Sequence, residues 1–175
     1  MRRYCITDSL DVLRRAVHLG ADLIQIRAKQ MTARELYRLI EQAVTIAGRR
    51  VIVNTRTDIA LACGTGGVHL PSNSPSPKRI VPHGFLIGAS CHNLAELRWA
   101  EEEQFDFVVY GPVFDSPGKG PAIGLEALRQ AAQSVRIPIY ALGGITDDNA
   151  WLCIGAGAYG VAGIRMFSEV RPESE

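Results

Sequence analysis

Glycines near the C-terminal end of the chain have the spacing of a phosphate-binding site. Gly143 and Gly144 directly follow one apolar run, and Gly163, Ile164 and Arg165 close another. Glycines let backbone N–H groups approach an anion, and an arginine side chain adds an opposite charge. The pattern predicts a site for a phosphorylated ligand, while the same glycines would also suit tight turns between strands and helices.

Polar side chains end several other short apolar runs along the chain. Those singled out are Gln25, Arg27, Lys29, Asn54, His69, Ser90 and His92. Parallel strands that are buried on both faces read as unbroken apolar runs, and in a closed barrel the residues just past each strand line one shared site. We therefore expect these polar side chains to meet at one end of a barrel.

Strand and helix patterns alternate along the whole chain, which is typical of a parallel α/β architecture. The pattern predicts a single compact (β/α)8 TIM barrel, and one domain over residues 1–175. The run of proline and serine at 71–77 replaces the fourth crossover helix with a loop, a candidate lid, and the last helix is truncated. Eight strands are predicted, at 4–7, 23–26, 51–53, 67–70, 85–89, 106–110, 137–142 and 160–164.

Capping residues predict where three of the intervening helices begin. Thr32 with Glu35 and Asn93 with Glu96 have the spacing of an N-cap and its third helical residue, and 146–148 offers a third cap. These signals place helices directly after the second, fifth and seventh strands.

The composition argues against several classes of protein. The 19 basic and 18 acidic residues nearly balance, and no basic block with interleaved aromatic residues recurs, so no nucleic-acid partner is expected. No segment approaches the ~20 apolar residues that a membrane-spanning helix needs, and a cytoplasmic protein is expected. Cys5, Cys63, Cys91 and Cys153 are far apart, which predicts reduced and mostly buried thiols and no zinc site.

Successive short motifs resemble those of the thiamine-phosphate synthase/TenI superfamily, in the order and spacing of that family. The resemblance covers about 4–167. The matching segments are Gln25-Ile26-Arg27-Ala28-Lys29, Asn54, Gly67-Val68-His69-Leu70, Gly88-Ala89-Ser90-Cys91-His92-Asn93, Gly111-Pro112-Val113-Phe114, Ser116 with Lys119, and Ala141-Leu142-Gly143-Gly144-Ile145.

The resemblance implies roles for individual positions. In the synthase, residues matching Gln25, Arg27 and Lys29 contact the pyrimidine substrate and its pyrophosphate, and those matching Asn54, Ser90 and Lys119 also belong to the site. The resemblance also implies that Gly144, Ile164 and Arg165 hold a thiazole phosphate. We interpret His69 as a hydrogen-bonded wall residue of the same cavity.

Two departures from the synthase pattern concern metal binding. The synthase has magnesium-binding aspartates where this sequence has Thr55 and Ser74. Magnesium normally needs at least one carboxylate beside phosphate oxygens, so no metal and no cofactor are expected here. The TenI branch, which resembles this chain in that loss, tautomerises thiazole carboxylate phosphate without metal.

The leading hypothesis is a TenI-like thiazole tautomerase with His92 as catalytic acid/base, because a histidine after the fifth strand has that role in the TenI branch. An authentic thiamine-phosphate synthase and a non-catalytic, regulatory phosphate-binding barrel are the alternatives. A Schiff-base aldolase that uses Lys29 or Lys119 is a further enzyme hypothesis. The expected partners are a small phosphorylated heterocycle of the thiazole phosphate type and a second copy of the chain, as a homodimer.

Overall fold

Eight parallel strands close into one barrel in the computed structural model, which describes residues 1–118 and 120–168. Each strand pairs with its sequence neighbour, and the last pairs with the first. The predicted (β/α)8 fold is therefore confirmed. The strands are β1 (Arg2–Thr7), β2 (Leu23–Ile26), β3 (Val51–Asn54), β4 (Gly67–Leu70), β5 (Leu86–Cys91), β6 (Phe107–Tyr110), β7 (Ile139–Leu142) and β8 (Gly160–Gly163).

Helices connect most of the neighbouring strands. They are α1 (Leu10–His18), α2 (Ala33–Ala47), α3 (Thr57–Ala62), α4 (Leu94–Glu102), α5 (Gly124–Ser134), α6 (Ala150–Gly155) and α7 (Arg165–Ser168), with a short 3-10 helix at Gly48–Arg50. The predicted truncated last helix begins as α7, and its continuation falls outside the described residues. None of the helices in the described part of the chain is long and apolar enough to cross a membrane.

Two helices, α2 and α4, begin where their capping residues predict, and a third, α6, begins later than predicted. Thr32 and Glu35 form a reciprocal capping box before α2, and the Asn93 side chain accepts the Glu96 N–H at 2.9 Å before α4. The predicted cap at 146–148 is wrong, because α6 begins only after Asn149. That side chain folds back to accept the Thr146 N–H at 2.9 Å, which tightens the turn and delays the helix.

The crossover from β4 to β5 is a loop, as the proline and serine run predicts. Residues 71–85 contain no helix, only turns near 72–73, 78–80 and 83–84. Lys78 Nζ lies 2.6 Å from one oxygen of Asp106, and the other oxygen accepts the Ile87 N–H at 2.8 Å. This ion pair fastens the loop beside the starts of β5 and β6.

Aromatic side chains fill the amino-terminal half of the barrel interior. Tyr4 packs edge-on against Phe107 and Tyr140, with ring centroids 5.5 Å apart in both pairs. Gly88 makes room for the Phe107 ring, because a Cβ atom at that position would lie 2.3 Å from Phe107 Cζ. The interior is therefore filled by aromatic side chains at the amino-terminal ends of the strands.

The cysteines behave largely as expected. Cys5, Cys91 and Cys153 are buried and unpaired, whereas Cys63, just after α3, is half-buried. Burial raises the pKa of the Cys5 and Cys91 thiols to about 12 and that of Cys153 to about 11. These three thiols therefore stay protonated and are poor nucleophiles.

Candidate functional site

A cavity of about 840 Å³ opens at the carboxyl ends of the strands. It is lined by most of the residues that the sequence analysis singled out: Gln25, Arg27, Lys29, Asn54, His69, Ser90, His92, Gly143, Gly144, Gly163, Ile164 and Arg165. The remaining predicted residue, Lys119, lies outside the described residues. The structure thus gathers these side chains around one space, and their individual roles stay predictions.

Strand register explains why the polar residues meet. Gln25 pairs with Ile6 on one side and Ile52 on the other, and His69 pairs with Asn54 and Gly88. Side chains of a strand alternate between the two faces of the sheet. Paired inward positions on neighbouring strands therefore point into the same interior, and those near the strand ends reach the cavity.

Four side chains form a hydrogen-bonded floor, and we use that name for Tyr4, Gln25, His69 and Ser90. Gln25 Nε2 lies 2.8 Å from the Tyr4 hydroxyl, which is 3.4 Å from His69 Nδ1. His69 Nε2 is in turn 2.9 Å from Ser90 Oγ. Because three of these side chains are almost fully buried and Ser90 is half-buried, the floor is a fixed part of the cavity.

Burial decides the protonation of His69. Loss of hydration, aided by the nearby charge of Arg27, lowers the pKa of the imidazole from 6.5 to about 3. His69 is therefore neutral at physiological pH. This agrees with its interpretation as a hydrogen-bonded wall residue and makes it a poor proton shuttle.

The side chains at the mouth of the cavity are exposed, unlike those of the buried floor. We call Arg27, Lys29, Thr55, His92 and Arg165 the rim, and all five are exposed. Three of them carry permanent positive charge, and no Asp or Glu lines this cavity among the residues that the structure describes. Such a mouth attracts phosphate and carboxylate groups. Lys29 is also too exposed for the desolvation that activates a Schiff-base lysine.

The residues at the implied magnesium position do not fit that ion. The Thr55 hydroxyl donates to the Asn54 carbonyl at 2.7 Å, and Ser74 is not part of the cavity wall. No group of three or more histidine, cysteine, aspartate or glutamate residues able to hold a metal occurs within 1–118 and 120–168. Because magnesium prefers carboxylate oxygens, this donor set is unsuitable for it.

His92 is held by a carboxylate beneath it. Its Nδ1 lies 3.0 Å from Glu96 Oε2, and that oxygen also accepts the His92 backbone N–H at 2.8 Å. Glu96 Oε1 accepts from Asn93 Nδ2 at 3.0 Å. The His92 side chain is 61% exposed and that of Glu96 17%, so the carboxylate orients the ring while the imidazole stays open to solvent.

Close packing accounts for the glycines after β7. Gly143 and Gly144 adopt positive φ angles, and a Cβ atom on Gly143 would lie 2.4 Å from Pro112 Cβ. The N–H groups of Gly144 and Ile164 donate to no acceptor in the part of the chain that is described. Free N–H donors beside the exposed Arg165 side chain are suitable for a phosphate group.

Sequence reasoning missed Tyr4, whose hydroxyl links Gln25 to His69. Its only signal was a tyrosine in a strand buried on both faces, where a hydroxyl needs a partner. It also missed Ser72, which lines the cavity, and it treated Cys91 only as a core residue although it reaches the wall.

Comparison with known proteins connects this geometry to one family. Residues 2–167 match the family model described as thiamine monophosphate synthase. A thiamine-phosphate synthase from Methanoculleus marisnigri is 43% identical, with 87% of this chain and 76% of that protein covered. One from Chlorobium luteolum is 36% identical over 97% of this chain and 84% of that protein. The structure titled thiamine phosphate pyrophosphorylase from Pyrococcus furiosus superposes with a TM-score of 0.84 at 34% identity, covering 93% and 85% of the two chains.

Proposed function

The chain belongs to the thiamine monophosphate synthase family, and on that premise we propose that it binds a thiazole phosphate and moves a proton on it through His92. The observation that carries the proposal is the cavity wall itself. It combines cationic side chains and an oriented histidine with no carboxylate among its described residues. That combination suits a metal-independent proton transfer on an anionic ligand.

The ligand phosphate would bind between the ends of β7 and β8. The N–H groups of Gly144 and Ile164 are available there, and Arg165 adds a full positive charge. In (β/α)8 barrels this pair of strand ends is a frequent phosphate site. The ring of the ligand would then extend across the cavity toward β5 and His92.

The imidazole of His92 can accept and return a proton at one atom. Because Nδ1–H donates to Glu96, the lone pair lies on Nε2. In the proposed tautomerisation, Nε2 takes a proton from one carbon of the thiazole and returns a proton to another. One C–H bond breaks and one forms, so neither a cofactor nor a second substrate is consumed. Glu96 is a positioning residue in this scheme.

The second candidate is thiamine-phosphate synthase, which is the name that its relatives carry. Gln25, Arg27 and Lys29 line the cavity, at positions where the family resemblance implies the pyrimidine and pyrophosphate. This activity would require pyrophosphate to depart without the aspartates of the family pattern, with Arg27 and Lys29 as the charges that neutralise it.

One experiment separates these functions. The purified protein is incubated with thiazole carboxylate phosphate in deuterated buffer and followed by proton NMR, with magnesium or EDTA. Isomerisation or deuterium uptake in EDTA supports the tautomerase. Thiamine phosphate formed after addition of hydroxymethylpyrimidine pyrophosphate would instead support the synthase. Binding with neither reaction would contradict both and leave a phosphate-binding barrel.

A further inference from the structure

The floor is a continuous series of hydrogen bonds with one direction. The amide nitrogen of Gln25 can only donate, so the Tyr4 oxygen accepts at 2.8 Å. Burial raises the pKa of Tyr4 well above its usual range, and the phenol keeps its single proton. His69 Nδ1 lies 3.4 Å from the hydroxyl and can accept that proton.

The same direction continues through His69 to Ser90. A neutral imidazole carries one proton, and acceptance at Nδ1 places that proton on Nε2. Nε2–H then donates to Ser90 Oγ, 2.9 Å away. The serine oxygen accepts this hydrogen bond with one of its lone pairs, and its own hydroxyl proton is left to donate to another group. Ser90 lines the cavity, so that proton is available to a ligand.

We propose that Tyr4 and His69 are positioning residues that make Ser90 a hydrogen-bond donor to an acceptor atom of the bound ligand. The identity of that acceptor rests on the proposed function: it is an oxygen of the thiazole carboxylate. The bond from His69 occupies one of the two lone pairs of the serine oxygen, and no described residue accepts the serine proton, which is therefore free for that ligand oxygen.

Packing prevents the series from rearranging. The Tyr4 ring is completely buried and packs edge-on against Phe107 at 88° and Tyr140 at 62°. His69 is also within 6.0 Å of the Tyr4 and Phe107 ring centroids. The hydroxyl of Tyr4 therefore cannot swing to another acceptor without displacing several aromatic side chains.

The first test is the tautomer of His69 in the ligand-free protein. Long-range proton–nitrogen NMR of protein with ¹⁵N-labelled histidine distinguishes a protonated Nε2 from a protonated Nδ1. We expect a single Nε2–H form for His69, with the exposed His18 and His83 as internal references. A His69 with its proton on Nδ1 would overturn the proposal.

The second test is a double-mutant cycle on ligand affinity. Ser90→Ala should weaken binding of thiazole carboxylate phosphate about three- to tenfold, the usual value of one hydrogen bond, and leave binding of inorganic phosphate unchanged. Tyr4→Phe should weaken the wild-type complex but have no further effect in the Ser90→Ala background. Additive losses would show that Tyr4 does not act through Ser90 and would contradict the proposal.

The two tests also separate this inference from the proposed function. If thiazole carboxylate phosphate does not bind the wild-type protein, the proposed function and its ligand acceptor fail, while the His69 tautomer still decides whether the floor has the stated direction. If the ligand binds and isomerises but the tautomer is Nδ1–H, the function stands and the directional floor is wrong.

Discussion

The floor and the rim of one cavity use the same kinds of residue in opposite ways. His69 in the floor is buried and bonded at both ring nitrogens, whereas the ring of His92 in the rim is bonded through Nδ1 and its side chain is 61% exposed. Burial lowers the pKa of His69 to about 3, which removes it from proton transfer near neutral pH. The comparison teaches that position in the barrel, more than residue type, separates a buried, neutral histidine from an exposed one.

The largest expected effect falls on the rim. His92→Asn should reduce the rate of deuterium uptake into thiazole carboxylate phosphate by about 10²- to 10⁴-fold, the usual contribution of an acid/base residue. Ligand affinity should change little. His83→Asn, an exposed histidine in the loop before β5, is the matched control. Retained exchange in His92→Asn would remove the catalytic distinction between rim and floor.

Charge at the rim should decide affinity for the ligand phosphate. Arg165→Ala should weaken binding about tenfold or more, since hydrogen bonds to charged groups contribute about 1.5–3 kcal/mol. Binding should also become less sensitive to salt. Arg98→Ala, an exposed arginine on α4, is the control, and calorimetric titration at two ionic strengths measures both. Equal losses in the two variants would rule out a specific phosphate contact at Arg165.

Substitution in the floor should reduce stability more than substitution in the rim. His69→Leu leaves Tyr4 and Ser90 without their shared partner, so we expect the free energy of unfolding to fall by about 1–3 kcal/mol. His92→Asn should change it by about 0.5 kcal/mol or less, because the side chain is exposed. Urea unfolding of both variants checks this, and equal stabilities would mean that the floor is not a structural unit.

Acid should destabilise the protein through His69. Its folded-state pKa near 3 is below the 6.5 of the unfolded chain, so between these values the unfolded chain binds a proton that the folded protein does not. The free energy of unfolding therefore falls as pH drops from 6.5 toward 3, by about 1.4 kcal/mol per pH unit for this one group.

The matched protein for this measurement is His69→Gln, which removes the titrating group. Asp58, whose pKa the hydrogen bond from Arg56 lowers to about 2, contributes alike in both proteins. The difference between the two pH profiles of unfolding free energy isolates His69. Parallel profiles across this window would show that the imidazole is not buried in its neutral form.

The smallest expected effect concerns backbone strain in the rim. Thr55 has a φ of 63°, which is unfavourable for a β-branched side chain, although its N–H donates to the His69 carbonyl at 2.9 Å. Thr55→Asn should raise the free energy of unfolding by about 0.5–1 kcal/mol, as asparagine adopts this region more readily. Thr57→Asn, in α3, is the control without positive φ, and an unchanged or lower stability in Thr55→Asn would contradict the strain.

Much of the fold could be read from local sequence signals. The apolar runs and their polar ends identified eight strands, and the pairs Thr32 with Glu35 and Asn93 with Glu96 identified two helix starts. These features depend on interactions within a few residues. The start of α6 was misplaced because Asn149 bonds back to Thr146 and Gly144 and does not cap the helix directly.

For the cavity too, the sequence predicted some residues and missed others. Unbroken apolar runs and the polar residues at their ends were sufficient to nominate Gln25, Asn54 and Ser90, because parallel strands must bring their carboxyl ends together. Nothing in the sequence revealed that Tyr4 joins Gln25 to His69 across the barrel, since that contact depends on packing among several strands.

The sequence by itself determined the order of strands and helices, the glycines at the carboxyl ends of β7 and β8, and the absence of aspartate at position 55. Those properties follow from residue type and local geometry. Only the tertiary structure decided which histidine is buried between Tyr4 and Ser90 and which is oriented by Glu96. Burial and long-range contacts set those properties, and both exist only once the eight strands have closed.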